Sequence, residues 1–216
     1  MRPIFSVPRL SSRRVFGVVF AAATLSLTAC VATGPISGGS AAAPRGVVQG
    51  QCAGIGPLHV AFRPAAPACG IDAPVRMTFG PVDLSQTVTL DCRTAQAFDA
   101  FIQQTAIPAS RQIMGRRLKT ILTGPGYDCR NVYHRASGRL SEHARGRAID
   151  ISGFVFDDGS RVILARDWDR GGPAARFLRA IRDGGCRQFN AVLGPNYNAA
   201  HRDHFHFDLG GWRTCS

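Results

Sequence analysis

The chain has 216 residues, of which 26 are lysine or arginine and 14 are aspartate or glutamate, giving a formal net charge of +12. This length suits one folded domain with a single core, and no internal repeat is present. A basic excess can indicate a nucleic-acid partner, but the N-terminal pattern predicts export, so we expect no nucleic acid. An anionic wall polymer, lipid headgroups or a basic surface without a partner remain as expectations.

Residues 1–29 predict a secretory signal peptide. Residues 1–14 hold four arginines and no acid, and an uncharged apolar run extends from Val15 to Ala29. That run is shorter than the roughly 20 residues that a membrane-spanning helix needs. The residues that lead into Cys30, Leu-Thr-Ala, resemble the bacterial lipobox, in which the cysteine is lipidated and becomes the new N-terminus. An ordinary cleaved signal beside a chance cysteine is the alternative.

Residues 30–50 predict a flexible tether between that cysteine and the folded domain. They are mostly glycine, alanine, serine, proline and valine, with one charge. Such a segment cannot bury enough apolar area to offset the entropy of ordering it. The folded domain is therefore expected at residues 51–216.

Six cysteines are dispersed along this domain, at Cys52, Cys69, Cys92, Cys129, Cys186 and Cys215. None belongs to a C-x-x-C pair, so a zinc site with cysteine ligands is not expected. An even number of cysteines behind an export signal predicts three disulfides. Six cysteines allow fifteen pairings, and short loop closures favour Cys52–Cys69, Cys92–Cys129 and Cys186–Cys215.

The predicted elements mix strands and helices without a regular βαβ alternation. Asp91 is a good N-cap for one helix, Pro108 is expected to end that helix, and Gly184-Gly185 is expected to stop a later one. In chain order we expect strands at 75–79 and 88–90, helices at 92–104 and 109–114, a strand at 117–122, a helix at 173–183 and a strand at 189–193. This order predicts an α+β fold with a small antiparallel sheet, flanked by helices and stapled by disulfides.

The segment 141–152 predicts a polar group on a half-buried strand. From Ala148 onward the polar and apolar residues alternate, so Asp150 points away from the apolar face formed by Ile149 and Ile151. Gly146 allows the chain to turn before this strand. His143 and Asp150 are therefore expected to approach one point.

The segment 201–209 predicts a second such strand. His204, His206 and Asp208 share one face, and the opposite face, formed by Phe205, Phe207 and Leu209, belongs in the core. Both imidazoles can therefore reach one cavity, one as a metal ligand and the other as a proton-transfer group.

Two imidazoles and a carboxylate with an open fourth position are the ligand set of hydrolytic zinc sites. Zinc suits an exported protein without a redox motif better than iron, which is the alternative metal. A lone histidine is more often a satisfied polar residue than a ligand, but four of the six histidines of this chain cluster in these two segments. His59 and His134 stand apart, and no role is assigned to them.

The first segment, Ser141-x-His143-x-x-Gly146-x-Ala148-x-Asp150, resembles the S-x-H-x-x-G-x-A-x-D motif of zinc D-Ala-D-Ala carboxypeptidases and murein endopeptidases. The whole of 50–216 resembles the bacterial extensin-like C-terminal domain family. The stretches that carry this resemblance are Cys69-Gly70-Ile71, Tyr127-Asp128-Cys129-Arg130, Trp168, Val192-Leu193-Gly194-Pro195 and the His-x-x-His-x-His run that begins at His201.

The resemblance implies a role for each matching residue. His143, Asp150 and His206 become ligands of one Zn²⁺, and His204 becomes the proton-transfer group. His201 is implied as a second-shell or substrate contact, and Arg130 as a substrate contact, with a surface arginine as the alternative. One position departs from several carboxypeptidases of the superfamily, which place a glutamate general base where this chain has Asp203. On a strand Asp203 falls with the Phe205 face, so His204 is the expected base.

The function implied by the resemblance is zinc-dependent hydrolysis of peptidoglycan stem peptides, of the carboxypeptidase or endopeptidase type. The protein is then a lipoprotein on the periplasmic side of the cell envelope, with peptidoglycan and a membrane as its partners. The alternative from another class is a non-catalytic wall-binding lipoprotein with a structural zinc, in which His204 fills the fourth position. A third interpretation, a zinc amidase that cleaves bonds outside peptides, differs only in substrate.

Overall fold

The computed structural model of the chain describes residues 51–57, 59, 61 and 68–216. The predicted signal at 1–29, the lipidation site Cys30 and the tether at 30–50 lie outside the described residues. None of the helices in the described part is long and apolar enough to cross a membrane. The strands are β1 (Gln51–Cys52), β2 (Gly56–Pro57), β3 (Pro74–Phe79), β4 (Asp83–Asp91), β5 (Leu118–Thr123), β6 (Ala148–Phe156), β7 (Arg161–Ile163), β8 (Ala191–Leu193), β9 (Phe205–Asp208) and β10 (Thr214–Cys215). The α-helices are α1 (Cys92–Phe101), α2 (Ile107–Met114), α3 (Leu164–Asp167) and α4 (Gly172–Gln188).

The main sheet has eight strands, and β6 lies near its middle. Seven of them follow the order β10-β8-β9-β6-β5-β4-β3, and β7 also pairs with β6. Most neighbours are antiparallel, including β6 with β5 and β9, while the pairs β4–β5 and β8–β10 are parallel. The α+β class is confirmed, and the sheet is larger than the small antiparallel one predicted because two parallel pairs extend it.

The core lies between this sheet and the helices. The alternation predicted for β9 is confirmed at Phe205 and Phe207, which are fully buried and face the helices. The Phe207 ring meets Phe101 of α1 edge-on, with 5.2 Å between centroids. Since successive side chains of a strand point to opposite faces, burying these two rings leaves His206 and Asp208 on the other face of the sheet.

The first helix begins as predicted and continues differently. Asp91 Oδ1 accepts a hydrogen bond from the Thr94 backbone N–H at 2.7 Å, which confirms the N-cap. Pro108 does not end the helical segment, contrary to the prediction. The α-helical pattern changes at Ile102–Ala106 to one π-helical turn, and Pro108 lies at the start of α2, directly after that turn.

The predicted stop at Gly184-Gly185 is also wrong, because α4 runs through both glycines to Gln188. The reason is close packing. A Cβ at Gly184 would lie 2.7 Å from Thr105 Cβ, and one at Gly185 would lie 2.6 Å from Phe207 Cζ. These glycines let the helix approach the core closely rather than end it.

All six cysteines form disulfides, as predicted, but only one of the three pairings is correct. Cys186–Cys215 is confirmed, whereas the other two bonds are Cys52–Cys92 and Cys69–Cys129. The predicted pairs Cys52–Cys69 and Cys92–Cys129 are therefore wrong. Those pairs were predicted because they close short loops, but doubling the length of a loop raises the free energy of closing it by only about 0.6 kcal/mol. The fold instead joins cysteines that are 40 and 60 positions apart in the sequence.

Candidate metal centre

His143 is held by a short turn that the sequence motif builds. It lies in a 3-10 helix, Glu142–Arg145, whose N-cap Ser141 accepts a hydrogen bond from the His143 backbone N–H at 3.4 Å. Gly146 ends this turn with a φ of 65°, and a Cβ there would lie 2.9 Å from the backbone nitrogen of Asp91. The turn predicted at Gly146 is therefore confirmed, and the motif residues Ser141 and Gly146 fix the place of His143.

The register of β6 against β9 brings the other two predicted ligands together. Asp150 and His206 are directly opposite each other in that antiparallel pair. His143 Nε2 lies 3.2 Å from Asp150 Oδ1 and 3.1 Å from His206 Nδ1, and the latter two atoms are 3.1 Å apart. The geometry of these three side chains suits one metal ion, and we call His143, Asp150 and His206 the metal group.

Hydrogen bonds on the far side of each ring decide which nitrogen carries a proton. His143 Nδ1 faces the carbonyl oxygen of Gly126 at 2.6 Å, and this oxygen can only accept. His206 Nε2 faces the carboxylate of Asp208 at 3.0 Å, which also accepts. Each of these ring nitrogens therefore donates, and in the neutral rings the lone pairs of His143 Nε2 and His206 Nδ1 point at each other and at Asp150 Oδ1.

Three acceptor atoms within about 3 Å of one another repel unless a cation lies between them. Two imidazole nitrogens and one carboxylate oxygen are donors that zinc prefers, and each histidine is oriented by an acceptor behind it, an arrangement that is common in zinc sites. Asp208, which supplies one of these acceptors, was placed by the sequence on the His206 face but was given no role. The residues present thus fit a zinc ion.

Without a metal, a proton serves the same purpose. Burial pulls the pKa of His206 down, but the hydrogen bonds and charges of Asp150 and Asp208 outweigh burial and raise that pKa to about 9. Burial tends to raise the pKa of Asp150, but the hydrogen bonds from His143 and His206 hold it well below its usual range. The centre is therefore built around an ionised carboxylate that requires positive charge beside it.

His204 lies beside this group and is not part of it. Its Nε2 is 3.9 Å from Asp150 Oδ1, and its Nδ1 lies 2.9 Å from Asp203 Oδ1. His204 precedes β9, which begins at Phe205, so the alternation predicted from His204 onward starts one residue later. His204 Nδ1 thus donates to Asp203, and its Nε2 lies on the side of the metal group. Asp203 contacts His204 instead of reaching the metal group itself, a role that the sequence did not reveal.

His201 packs between the metal group and the cavity wall. It is 8% exposed, its Nδ1 donates to Asn198 Oδ1 at 2.8 Å, and its ring centroid lies 5.9 Å from that of His206. Burial and then the charges on His206 and His204 lower the pKa of His201 to about 4. His201 is therefore neutral near pH 7, and its Nε2 is an acceptor.

A cavity of about 340 Å³ opens directly over the metal group. Arg130, the predicted substrate contact, lines this cavity, and its Nε pairs with Asp128 at 2.8 Å. The cavity also contains His134, which the sequence had left without a role. Its further lining residues include Tyr133, Arg139, Glu142, Tyr197 and Trp212. Apart from the cysteines, the predicted site residues of the domain line this cavity, with one exception. The exception is His143, which is buried beneath the cavity.

A model of the family described as extensin-like protein C-terminus matches residues 52–216. No curated protein and no solved structure matches the chain.

Proposed function

This chain belongs to the extensin-like C-terminal family, and we propose that it is a zinc-dependent hydrolase of peptidoglycan peptides, of the carboxypeptidase or endopeptidase type. One observation carries the proposal. Three lone pairs, from His143, Asp150 and His206, converge at the floor of a cavity, and a fourth group, His204, presents a free nitrogen beside them. Three protein ligands with an accessible fourth position distinguish hydrolytic zinc sites from structural ones.

Each residue has a distinct task in this proposal. When bound, a zinc ion supplies a Lewis acid that polarises the scissile carbonyl and makes a water molecule acidic near neutral pH. His204 Nε2 is placed to accept a proton from the attacking water and would donate it to the leaving amine. Asp203 holds His204 in the tautomer with a free Nε2 and stabilises the charged ring while the proton resides there.

Arg130 is the proposed contact for a substrate carboxylate. It lines the cavity and is about one-fifth exposed, and its Nε is engaged by Asp128. The pairing fixes the guanidinium, whose terminal nitrogens remain able to form paired hydrogen bonds with a carboxylate. A stem peptide ends in such a group, so the position of Arg130 in the cavity supports the proposed substrate class.

The proposed location is the periplasmic side of the cell envelope, with the chain anchored to a membrane through lipidated Cys30. Stable anchoring requires more than one acyl chain, since a single chain holds a protein only marginally. Cys30→Ser should release the protein into the soluble envelope fraction, or block its maturation, with unchanged zinc content. A Cys30→Ser protein that is processed normally and stays on the membrane at high salt would contradict the anchor.

The function is tested by incubating purified sacculi with zinc-loaded protein and identifying the released fragments by mass. Loss of terminal D-alanine indicates a carboxypeptidase, and loss of crosslinked dimers indicates an endopeptidase. The alternative, a wall-binding lipoprotein with structural zinc, predicts binding to sacculi without any new fragment. Zinc-loaded His206→Ala protein is the control, because a cleavage that survives it comes from a contaminant.

A further inference from the structure

Two tyrosines stand out on the surface of the domain. Among the side chains that the structure describes, the exposed large hydrophobic ones are Tyr133, 44% exposed, and Tyr197, 38% exposed. Both line the cavity over the metal group. Aromatic side chains that line a concave surface beside polar groups are typical of ligand-binding sites.

The backbone that carries Tyr133 is held in a strained conformation. Tyr133 and His134 have φ values of 57° and 54°, in the left-handed region that residues with a side chain rarely adopt. The turn is maintained by hydrogen bonds from Val132 N to Arg139 O at 2.9 Å and from His134 N to Asn131 O at 3.1 Å. Such strain persists where the surrounding structure enforces it, and it is concentrated at functional sites. Here it projects the Tyr133 ring over the cavity.

The two tyrosines are linked to each other and to the metal group. Asn198 donates to the Tyr133 hydroxyl at 3.0 Å and accepts from His201, so hydrogen bonds connect Tyr133 through Asn198 to His201. Both tyrosine rings form T-shaped contacts with the His201 ring, with centroid distances of 6.3 Å for Tyr133 and 5.6 Å for Tyr197. Trp212 lies 6.3 Å from Tyr197 and extends the aromatic wall.

The chemistry of the surrounding wall narrows the class of ligand. The same cavity is also lined by hydrogen-bonding groups, among them Ser141, Glu142 and Arg139, so its wall is polar as well as aromatic. A ligand that fits has a flat apolar face and a polar edge. Arg130 and Arg139 on the same cavity disfavour an organic cation, which aromatic rings would otherwise attract.

We propose that Tyr133 and Tyr197 stack on a sugar ring, so that the site binds a stem peptide together with the glycan to which it is attached. A pyranose ring combines apolar C–H faces with a rim of hydroxyl groups, which matches the tyrosine rings and their polar surroundings. This inference rests on the proposed function for the identity of the polymer. It adds that the protein distinguishes glycan-linked peptides from free ones through these two side chains.

Binding is measured by isothermal titration calorimetry of metal-free protein with oligomers of β-1,4-linked N-acetylglucosamine. We expect saturable binding that weakens roughly three- to tenfold in Tyr133→Ala and in Tyr197→Ala, the usual worth of an aromatic stacking contact. Tyr197→Phe is the matched control, because it keeps the ring, and it should bind like the wild type. Both tyrosines are partly exposed, so truncating them opens no cavity in the buried core. Absence of binding by the wild type, or equal binding by the alanine variants, would overturn the inference.

A second measurement separates this inference from the proposed function. Zinc-loaded protein is given a stem peptide attached to its disaccharide and the same peptide without sugar. We expect kcat/KM to favour the glycan-linked substrate, and we expect the ratio of kcat/KM for the two substrates, measured with the same protein, to fall in Tyr197→Ala and to stay at the wild-type value in Tyr197→Phe. Equal cleavage of both substrates by the wild type would refute sugar recognition and leave the hydrolase standing. Sugar binding in the calorimeter without cleavage of either substrate would refute the hydrolase and leave the tyrosine site standing.

Discussion

Asp208→Asn is a one-atom change that should weaken zinc binding without touching a ligand. Asp208 is buried, and its two oxygens have different tasks: Oδ2 accepts from His206 Nε2 at 3.0 Å, and Oδ1 accepts from the Gly210 backbone N–H at 2.7 Å. An asparagine has only one such oxygen. If its amide oxygen faces Gly210, its NH₂ group faces His206 and drives the imidazole proton to Nδ1, the atom that would hold the metal. If it faces His206 instead, the NH₂ group opposes the Gly210 N–H.

The size of the effect follows from what the carboxylate does. It fixes the ring tautomer and raises the basicity of His206, and loss of such an orienting group lowers metal affinity by about 10- to 100-fold. This corresponds to about 1.4–2.7 kcal/mol of zinc binding free energy. The three predicted ligands remain, so zinc should still bind at one equivalent when the metal is in excess.

The affinity is measured by competition with a chromophoric zinc chelator near pH 7.5. Asp167→Asn is the matched control, because Asp167 is similarly buried, accepts from the Ile163 backbone N–H at 2.8 Å and lies outside the cavity lining. That variant should lose stability and keep the zinc affinity of the wild type. A folded Asp208→Asn protein whose zinc affinity stays within threefold of the wild type would refute the role of the carboxylate.

Three further outcomes are expected. His206→Ala and Asp150→Ala should each lose most of the roughly one equivalent of zinc bound by the wild type, and stoichiometric zinc in both variants would disprove the site. Folding lowers the pKa of His201 from 6.5 to about 4. Between these two pH values the unfolded chain protonates His201 and the folded chain does not, so the metal-free protein should lose roughly 3 kcal/mol of stability as the pH falls from 6.5 to about 4. His201→Gln should remove that loss in urea unfolding, and an unchanged pH dependence would contradict the pKa shift. Gly184→Ala should lower the free energy of unfolding by roughly 1–3 kcal/mol because its methyl group overlaps Thr105, whereas a variant as stable as the wild type would show that the helix moves away freely.

The sequence predicted best where one pattern has one structural solution. The alternation around Ile149 and Phe207 defined which faces of β6 and β9 enter the core, and with it the side on which Asp150 and His206 lie. Gly146 was correctly placed in a turn because few other residues adopt its conformation. These local rules placed each candidate ligand on its face, whereas the choice of His143, Asp150 and His206 as one set came from the resemblance in the sequence motifs.

The failures concern interactions between distant segments. Gly184 and Gly185 resemble a helix stop, and only the positions of Thr105 and Phe207 explain why the helix continues through them. The cysteine pairs depend on the path of the chain, which local spacing does not describe. The contact of Asp203 with His204 depends on one side-chain orientation just before β9. Tyr133 and Tyr197 lie in segments that are distant in the sequence, and no local pattern predicts that both line one cavity.

The measurement that bears most directly on a hydrolytic zinc site is a comparison of His204→Ala with the wild type, for zinc content and for fragments released from sacculi in the same preparation. His204 lies next to the metal group but outside it, with its Nε2 3.9 Å from Asp150 Oδ1. We expect the variant to retain one equivalent of zinc and to lose hydrolysis by roughly 10²- to 10⁴-fold, the usual contribution of a general acid–base group. A His204→Ala protein that loses its zinc would show that His204 is a fourth ligand and that the site is structural.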